Sequence, residues 1–172
     1  EMVLELCPGT VVGITGSDGK TTTTSLIYEI IKKEGYNCYL GGNIGTPLFS
    51  KLPEMRPEDI VVLELSSFQL MNMKVSPHIA VITNISPNHL DIHKSYEEYI
   101  ECKKNIFKYQ KEDDILILNK DNDITASFGK EAPGKVVYFS SKQKIDDGII
   151  YDNGIIKECE DSLRKHILNT KD

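Results

Sequence analysis

No tryptophan occurs in these 172 residues, and cysteine is scarce: four copies, Cys7, Cys38, Cys102 and Cys159, lie far apart. None belongs to a Cys-x-x-Cys pair, which argues against a disulfide frame or a zinc site and for free thiols in a reducing compartment. No apolar run approaches the ~20 residues that a helix needs to cross a bilayer. Residues 1–8 also lack the charged-then-apolar plan of a secretion signal. A basic excess is missing too. The chain carries 20 Lys and Arg against 26 Asp and Glu, a formal charge of −6, with no basic stripe to track a nucleic-acid backbone. These absences predict a cytoplasmic protein with neither a nucleic-acid nor a membrane partner. They do not exclude phosphate binding, for which a few backbone N–H groups and one or two lysines suffice.

What is present is enough for one ordinary domain with a real core, since 40% of the residues are hydrophobic. The chain begins at Glu1 rather than at a methionine, and its last stretch, Glu158 to Asp172, is polar with no evident closing element. The expectation is a domain excised from a longer protein.

Apolar runs alternate with helical patterns, as in a parallel sheet with crossover helices. Strands are expected at Thr10–Thr15, Tyr36–Leu40, Ile60–Leu65, Ile79–Thr83, Ile115–Leu118 and Val136–Phe139. A helix of about twelve residues follows Lys20, with Leu26, Ile27, Ile30 and Ile31 as its apolar stripe. A second helix is expected over Tyr96–Tyr109, opened by a capping box of Ser95 and Glu98. Asp152-Asn153-Gly154 between Ile149–Tyr151 and Ile155–Ile156 is a hairpin turn. The predicted class is α/β: a mostly parallel, doubly wound sheet of the P-loop NTPase type with a C-terminal β-hairpin region. The unusual residues gather just past the carboxyl ends of successive strands, at 16–21, 41–45, 64–69 and 84–91. In open α/β sheets that edge binds ligands.

Gly16-Ser17-Asp18-Gly19-Lys20-Thr21-Thr22 is the strongest local signal. Glycines let backbone N–H groups face a phosphate, Lys20 can neutralise β/γ oxygens, and the Thr21 hydroxyl can bind Mg²⁺. The match to the usual G-x-x-x-x-G-K-[ST] is imperfect, because position 14 is Ile. Glu64 is a lone carboxylate near the end of an apolar strand. It either holds a metal ion or points into solvent where the strand stops early. Lys103 falls mid-stripe on the second helix, where burial would lower its pKa and free its amine. Spacing alone favours the alternative, a lysine that snorkels from the stripe's edge. His89, in Asn88-His89-Leu90-Asp91, has a metal-binding imidazole, but one histidine is no site. His93, four residues on, is not paired with it as a ligand.

Taken together, Gly13 to Thr22, Gly41-Gly-Asn-Ile-Gly45, Leu63-Glu-Leu-Ser-Ser-Phe-Gln-Leu70 and His89-Leu-Asp91 occur in the order found in the Mur ligases, and the chain resembles that family over Thr10 to Asp121. The family's shortened glycine pattern accounts for Ile14. The run Leu63–Leu70 is most similar to members that join D-glutamate to UDP-N-acetylmuramoyl-L-alanine. The resemblance implies an ATP-dependent ligase of peptidoglycan synthesis acting on those two substrates, expected as a monomer; the alternatives are a Mur-type amide ligase for a different amino acid, or a P-loop nucleotide-binding domain that is not a ligase. By resemblance, residues 16–22 bind ATP, with Asn119 and Asp121 near the nucleotide. Thr21 and Glu64 are Mg²⁺ ligands, and His89 with a carbamylated Lys103 holds a second Mg²⁺. That resemblance reverses the snorkelling preference for Lys103. Asn43, Ser66 and Gln69 fall near the muramoyl substrate. The sequence departs from the pattern at Asp18, where asparagine is common, and at Asn88, where aspartate is common. The family's flanking UDP-binding and amino-acid-binding domains are also not expected within this chain.

Overall fold

The computed structural model describes residues 1–87, 93–160 and 163–169, the last stretch by its backbone. Nine strands form one sheet in the order β2-β3-β1-β4-β5-β6-β7-β8-β9. They are β1 (Thr10–Thr15), β2 (Cys38–Gly42), β3 (Ile60–Glu64), β4 (Ile79–Ile82), β5 (Ile115–Asn119), β6 (Lys135–Ser140), β7 (Gly148–Asp152), β8 (Ile155–Glu160) and β9 (Leu163–Asn169). All pairs from β2 through β7 are parallel, and β7-β8-β9 is antiparallel. The predicted hairpin is therefore real. Asn153 and Gly154 both take positive φ, 50° and 86°, as a two-residue turn of matching twist requires. The polar tail overturns its own expectation. The stretch 163–169, taken to have no closing element, pairs with β8 as a third antiparallel strand. Its apolar residues, Leu163, Ile167 and Leu168, do not alternate regularly with polar ones, so the stretch carries no strand period.

The helices are α1 (Met2–Leu6), α2 (Lys20–Lys33), α3 (Ser67–Met71), α4 (Tyr96–Lys104) and α5 (Asp123–Ser127). They cover two faces of the sheet, because successive strand side chains point opposite ways. Val12, Ile14, Val62 and Val81 pack against Ile27, Tyr28 and Ile31 of α2. Their sequence neighbours Val11, Val61, Leu63, Ala80 and Ile82 join Leu70 of α3, Tyr99 of α4, and Ile106 and Phe107 in the opposite layer. Burying a Val, Leu or Ile side chain contributes about 1.5–3 kcal/mol, so these two layers hold the sheet.

The predicted α2 stripe is half right. Ile27 and Ile31 face the sheet, whereas Leu26 and Ile30 are exposed. Helix α4 is shorter than predicted. Its last N–H groups turn to i−3 carbonyls, Asn105 to Cys102 and Ile106 to Lys103, which tightens the end into a 3₁₀-like turn. The Asn105 side chain is held on the Leu70 and Met71 carbonyls. The Ser95 hydroxyl caps the Glu98 N–H, but Glu98 accepts from the Lys94 N–H instead of that of Ser95.

Candidate functional site

Sheet order reverses at β1, whose chain proceeds to β2 and β3 on one side and to β4 on the other. The loops after β1 and β4 separate there, and a ligand can enter between them. The glycine-rich loop occupies this crevice. A side chain at Gly16 would overlap the Thr83 hydroxyl, so only glycine lets the loop lie against β4. Gly19 has φ 76° and is the residue from which α2 starts. Such a left-handed entry strains any residue with a Cβ. The first turn of α2 offers N–H groups with no i−4 partner and the positive end of the helix dipole.

The loop is pinned from the β4 side. Asn84 accepts from the Asp18 N–H at 2.9 Å and donates to the Asp18 carbonyl at 3.0 Å, and Thr83 donates to the same carbonyl. Ser17 donates to the Ser86 carbonyl, accepts from the Ser86 N–H, and meets the Tyr99 hydroxyl at 2.9 Å. Lys20 folds back onto the Gly16 and Ser17 carbonyls at 3.0 and 2.9 Å. Its ammonium thus lies over the loop's mouth. Thr22 sits exposed in the first turn of α2.

Glu64 ends β3 only 1% exposed. Thr21 donates to its Oε2 and Asn43 to its Oε1, each at 2.8 Å. Both donors are neutral, so the carboxylate is buried with its charge uncompensated by them, and its alternative as a solvent-facing strand end is overturned. A buried carboxylate beside a hydroxyl, held by neutral donors among the described residues, suits a hard divalent cation. Among the described residues no three His, Cys, Asp or Glu converge as a complete metal cage. A Mg²⁺ here would complete its shell with phosphate and water oxygens.

Lys103 is also 1% exposed. It does not snorkel. Its Nζ donates to Thr15 Oγ1 at 3.2 Å and the Gly16 carbonyl at 2.9 Å, 4.9 Å from the centre of the Tyr99 ring. Burial first, and the charge of Lys20 second, lower its pKa to about 7. A substantial neutral fraction follows near neutral pH.

Thr21, Asn43 and Glu64 are thus in contact, and Lys20 and Lys103 reach the same Gly16 carbonyl. Ser66 and Gln69 bond each other as the capping box of α3, and Gln69 also lines a cavity of about 460 Å³ beside Gly42, Leu48 and Leu65. Asn119 donates to the Thr83 carbonyl at 2.8 Å and so backs the loop indirectly. The Asp121 carboxylate accepts from the Ser140 hydroxyl, the Ser141 N–H and hydroxyl, and the Lys142 N–H. His89 lies outside the described residues, as do Asn88 and Asp91. Sequence reasoning missed Thr15 and Tyr99. Their place beside Lys103 depends on long-range packing that spacing does not carry.

The family model described as Mur ligase middle domain matches residues 14–170. The chain belongs to the Mur ligase family. A relative from Ruminiclostridium cellulolyticum, UDP-N-acetylmuramoylalanine--D-glutamate ligase, is 58% identical over 99% of this chain and 37% of its own. One of the same name from Clostridium kluyveri is 62% identical over 86% of this chain and 32% of its own. The chain therefore spans about a third of the length of these curated relatives. Among solved structures, a Thermotoga maritima MurF ligase in complex with ADP superposes with TM-score 0.64 at 29% identity, over 96% of this chain and 42% of that one. A UDP-N-acetylmuramoyl-L-alanyl-D-glutamate--2,6-diaminopimelate ligase gives TM-score 0.70 at 22% identity, over 94% and 39%, a likeness of fold.

Proposed function

We propose that this Mur ligase chain is the ATP-binding central domain, with the P-loop NTPase form of sheet, of a cytoplasmic, monomeric enzyme that joins D-glutamate to UDP-N-acetylmuramoyl-L-alanine. In this reading the UDP-binding and amino-acid-binding domains are further parts of the same enzyme. The observation that carries the reading is the contact of Thr21, Asn43 and Glu64 beside a glycine loop that holds both Lys20 and Lys103. Identity of 58% and 62% to ligases of that specificity supports the choice of substrates.

The substrate carboxylate attacks the γ-phosphorus of ATP, forming an acyl phosphate and releasing ADP. The D-glutamate amine then attacks the acyl carbon, and the tetrahedral intermediate expels phosphate. Little covalent chemistry falls to the protein, so positioning and charge neutralisation dominate. Loop N–H groups and Lys20 hold the β and γ oxygens. Lys20 leaves the Gly16 and Ser17 carbonyls to do so. Thr21 and Glu64 would hold Mg²⁺, and Asn43 keeps the Glu64 carboxylate aimed. The metal supplies charge neutralisation at the transferring phosphoryl group. The Lys103 amine would add CO₂ and lose a proton to become a carbamate, sharing a second Mg²⁺ with His89. Asn43, Ser66 and Gln69 face the muramoyl side, and Asn119 and Asp121 the nucleotide side.

The test is phosphate release by the full-length enzyme with UDP-N-acetylmuramoyl-L-alanine and a panel of amino acids. Release is expected with D-glutamate and not with glycine or L-lysine. Equal turnover with all three would sink the substrate assignment. Glu64→Gln preserves shape but removes the charge, and kcat should fall by about 10²–10³-fold.

A further inference from the structure

One buried polar group has no part in the chemistry above. His93 precedes α4 and is 3% exposed. Its Nε2 lies 3.0 Å from the hydroxyl of Ser67, the first residue of α3. Its ring stacks on Phe68 of the same helix, centroids 5.3 Å apart and planes 10° from parallel. On another side it meets the Tyr99 ring edge-on at 5.2 Å. Tyr99 bonds Ser17 of the glycine loop and carries Lys103 over its face. A single imidazole therefore touches both the helix capped by Ser66 and Gln69 and the tyrosine that braces the loop.

Packing alone does not explain a histidine there. Its Nδ1 is buried with no partner among the described residues, a loss of solvation that a phenylalanine would avoid. What the imidazole adds is a directional bond to Ser67. An orphaned acceptor is tolerated better than an orphaned N–H, so the proton belongs on Nε2, and His93 donates to the Ser67 hydroxyl.

We propose that His93 is a positioning residue. Through Ser67 and Tyr99 it fixes the separation of α3 from the glycine loop, and with it the approach of the muramoyl carboxylate to the γ-phosphate. This rests on the function proposed above, under which Ser66 and Gln69 are substrate-side residues. A displacement of about 1 Å in such an alignment costs about 10²-fold in rate. The loss falls on kcat, because neither binding site is itself removed.

The experiment is steady-state phosphate release by the full-length enzyme, first as wild type with D-glutamate and UDP-N-acetylmuramoyl-L-alanine. Wild-type inactivity would overturn the function and this proposal with it. Given wild-type activity, the variants judge His93 alone. His93→Phe keeps the ring but loses the bond, and Ser67→Ala removes the bond from the other end with minimal change in volume. Each should lower kcat by about 10–100-fold, with KM for ATP and for the muramoyl nucleotide within about 3-fold. The double variant should be no worse than His93→Phe, because both delete one interaction. His93→Gln, whose amide can still donate to Ser67, should recover part of kcat. Unchanged kcat in Ser67→Ala, multiplicative losses in the double variant, or failure of His93→Gln to recover any activity would each overturn the proposal. Should His93→Phe not fold, Ser67→Ala and His93→Gln decide it.

Discussion

Lys103 is the residue at which the site's chemistry and the fold's stability pull against each other. Its amine is buried under Tyr99 and against Thr15 and Gly16, where an ammonium is poorly solvated. The folded protein releases that proton at a pKa of about 7, against an ordinary value of 10.5. Between those values the unfolded chain binds more protons than the folded one, so stability rises with pH across the window. Below about 7 both states are charged and the burial penalty is present in full. Lys103→Met abolishes the titration. In CO₂-free buffer, urea unfolding of this chain should show the variant's advantage over wild type shrinking by about 1–3 kcal/mol from about pH 6.5 to about 9.5. A gap that stays constant would mean that Lys103 is not desolvated. Spacing alone placed Lys103 mid-stripe and favoured a snorkelling side chain until the family resemblance reversed that preference, because periodicity cannot reveal that β1 and the glycine loop close over that face. Glu64 posed the same difficulty. A lone carboxylate at a strand end is readable, but its burial under Thr21 and Asn43 is not.

At the scale of elements, Asp121 shows how a predicted site residue can carry a structural duty. It sits just past β5, and its carboxylate gathers the Ser140 and Ser141 hydroxyls and the N–H groups of Ser141 and Lys142. That knot closes the exit of β6 onto β5. Burial is the largest single influence on its pKa and raises it, yet the hydrogen bonds together outweigh it and leave the pKa below its ordinary 3.8. The stabilisation is therefore complete above that ordinary value and is lost as pH falls through the lower folded value. Asp121→Asn should cost about 1–3 kcal/mol at neutral pH, and its unfolding curve should converge with that of wild type in acid. Equal stability at neutral pH would show the knot to be dispensable. Strands β1, β3, β4 and β5 were legible because buried parallel strands are continuous apolar runs. Helices α3 and α5, each of five residues, are too short for a period, and the apolar residues of β9 do not alternate.

Taken whole, the molecule brings the proposed site residues together at one edge of the sheet, the edge at which the sequence clusters glycines and polar residues after successive strands. The crossover order was less legible, because β2 and β3 could flank β1 in more than one way. With β1 central, the loops after β1 and β4 brace each other through Asn84, Thr83 and Ser17. The glycine loop is therefore already shaped within these residues and needs only the release of Lys20 from the Gly16 and Ser17 carbonyls. A preshaped loop pays little ordering cost on binding, so calorimetry should detect Mg-ATP binding to this chain alone. Lys20→Ala should weaken it by at least about tenfold, the loss of one charge-assisted contact. Equal binding by both would refute the glycine loop as the phosphate site. D-glutamate-dependent phosphate release should be absent from these residues alone, because alignment of three substrates calls for closure of neighbouring segments around an edge this open. Turnover by the chain alone would mean that the edge is already a complete active site.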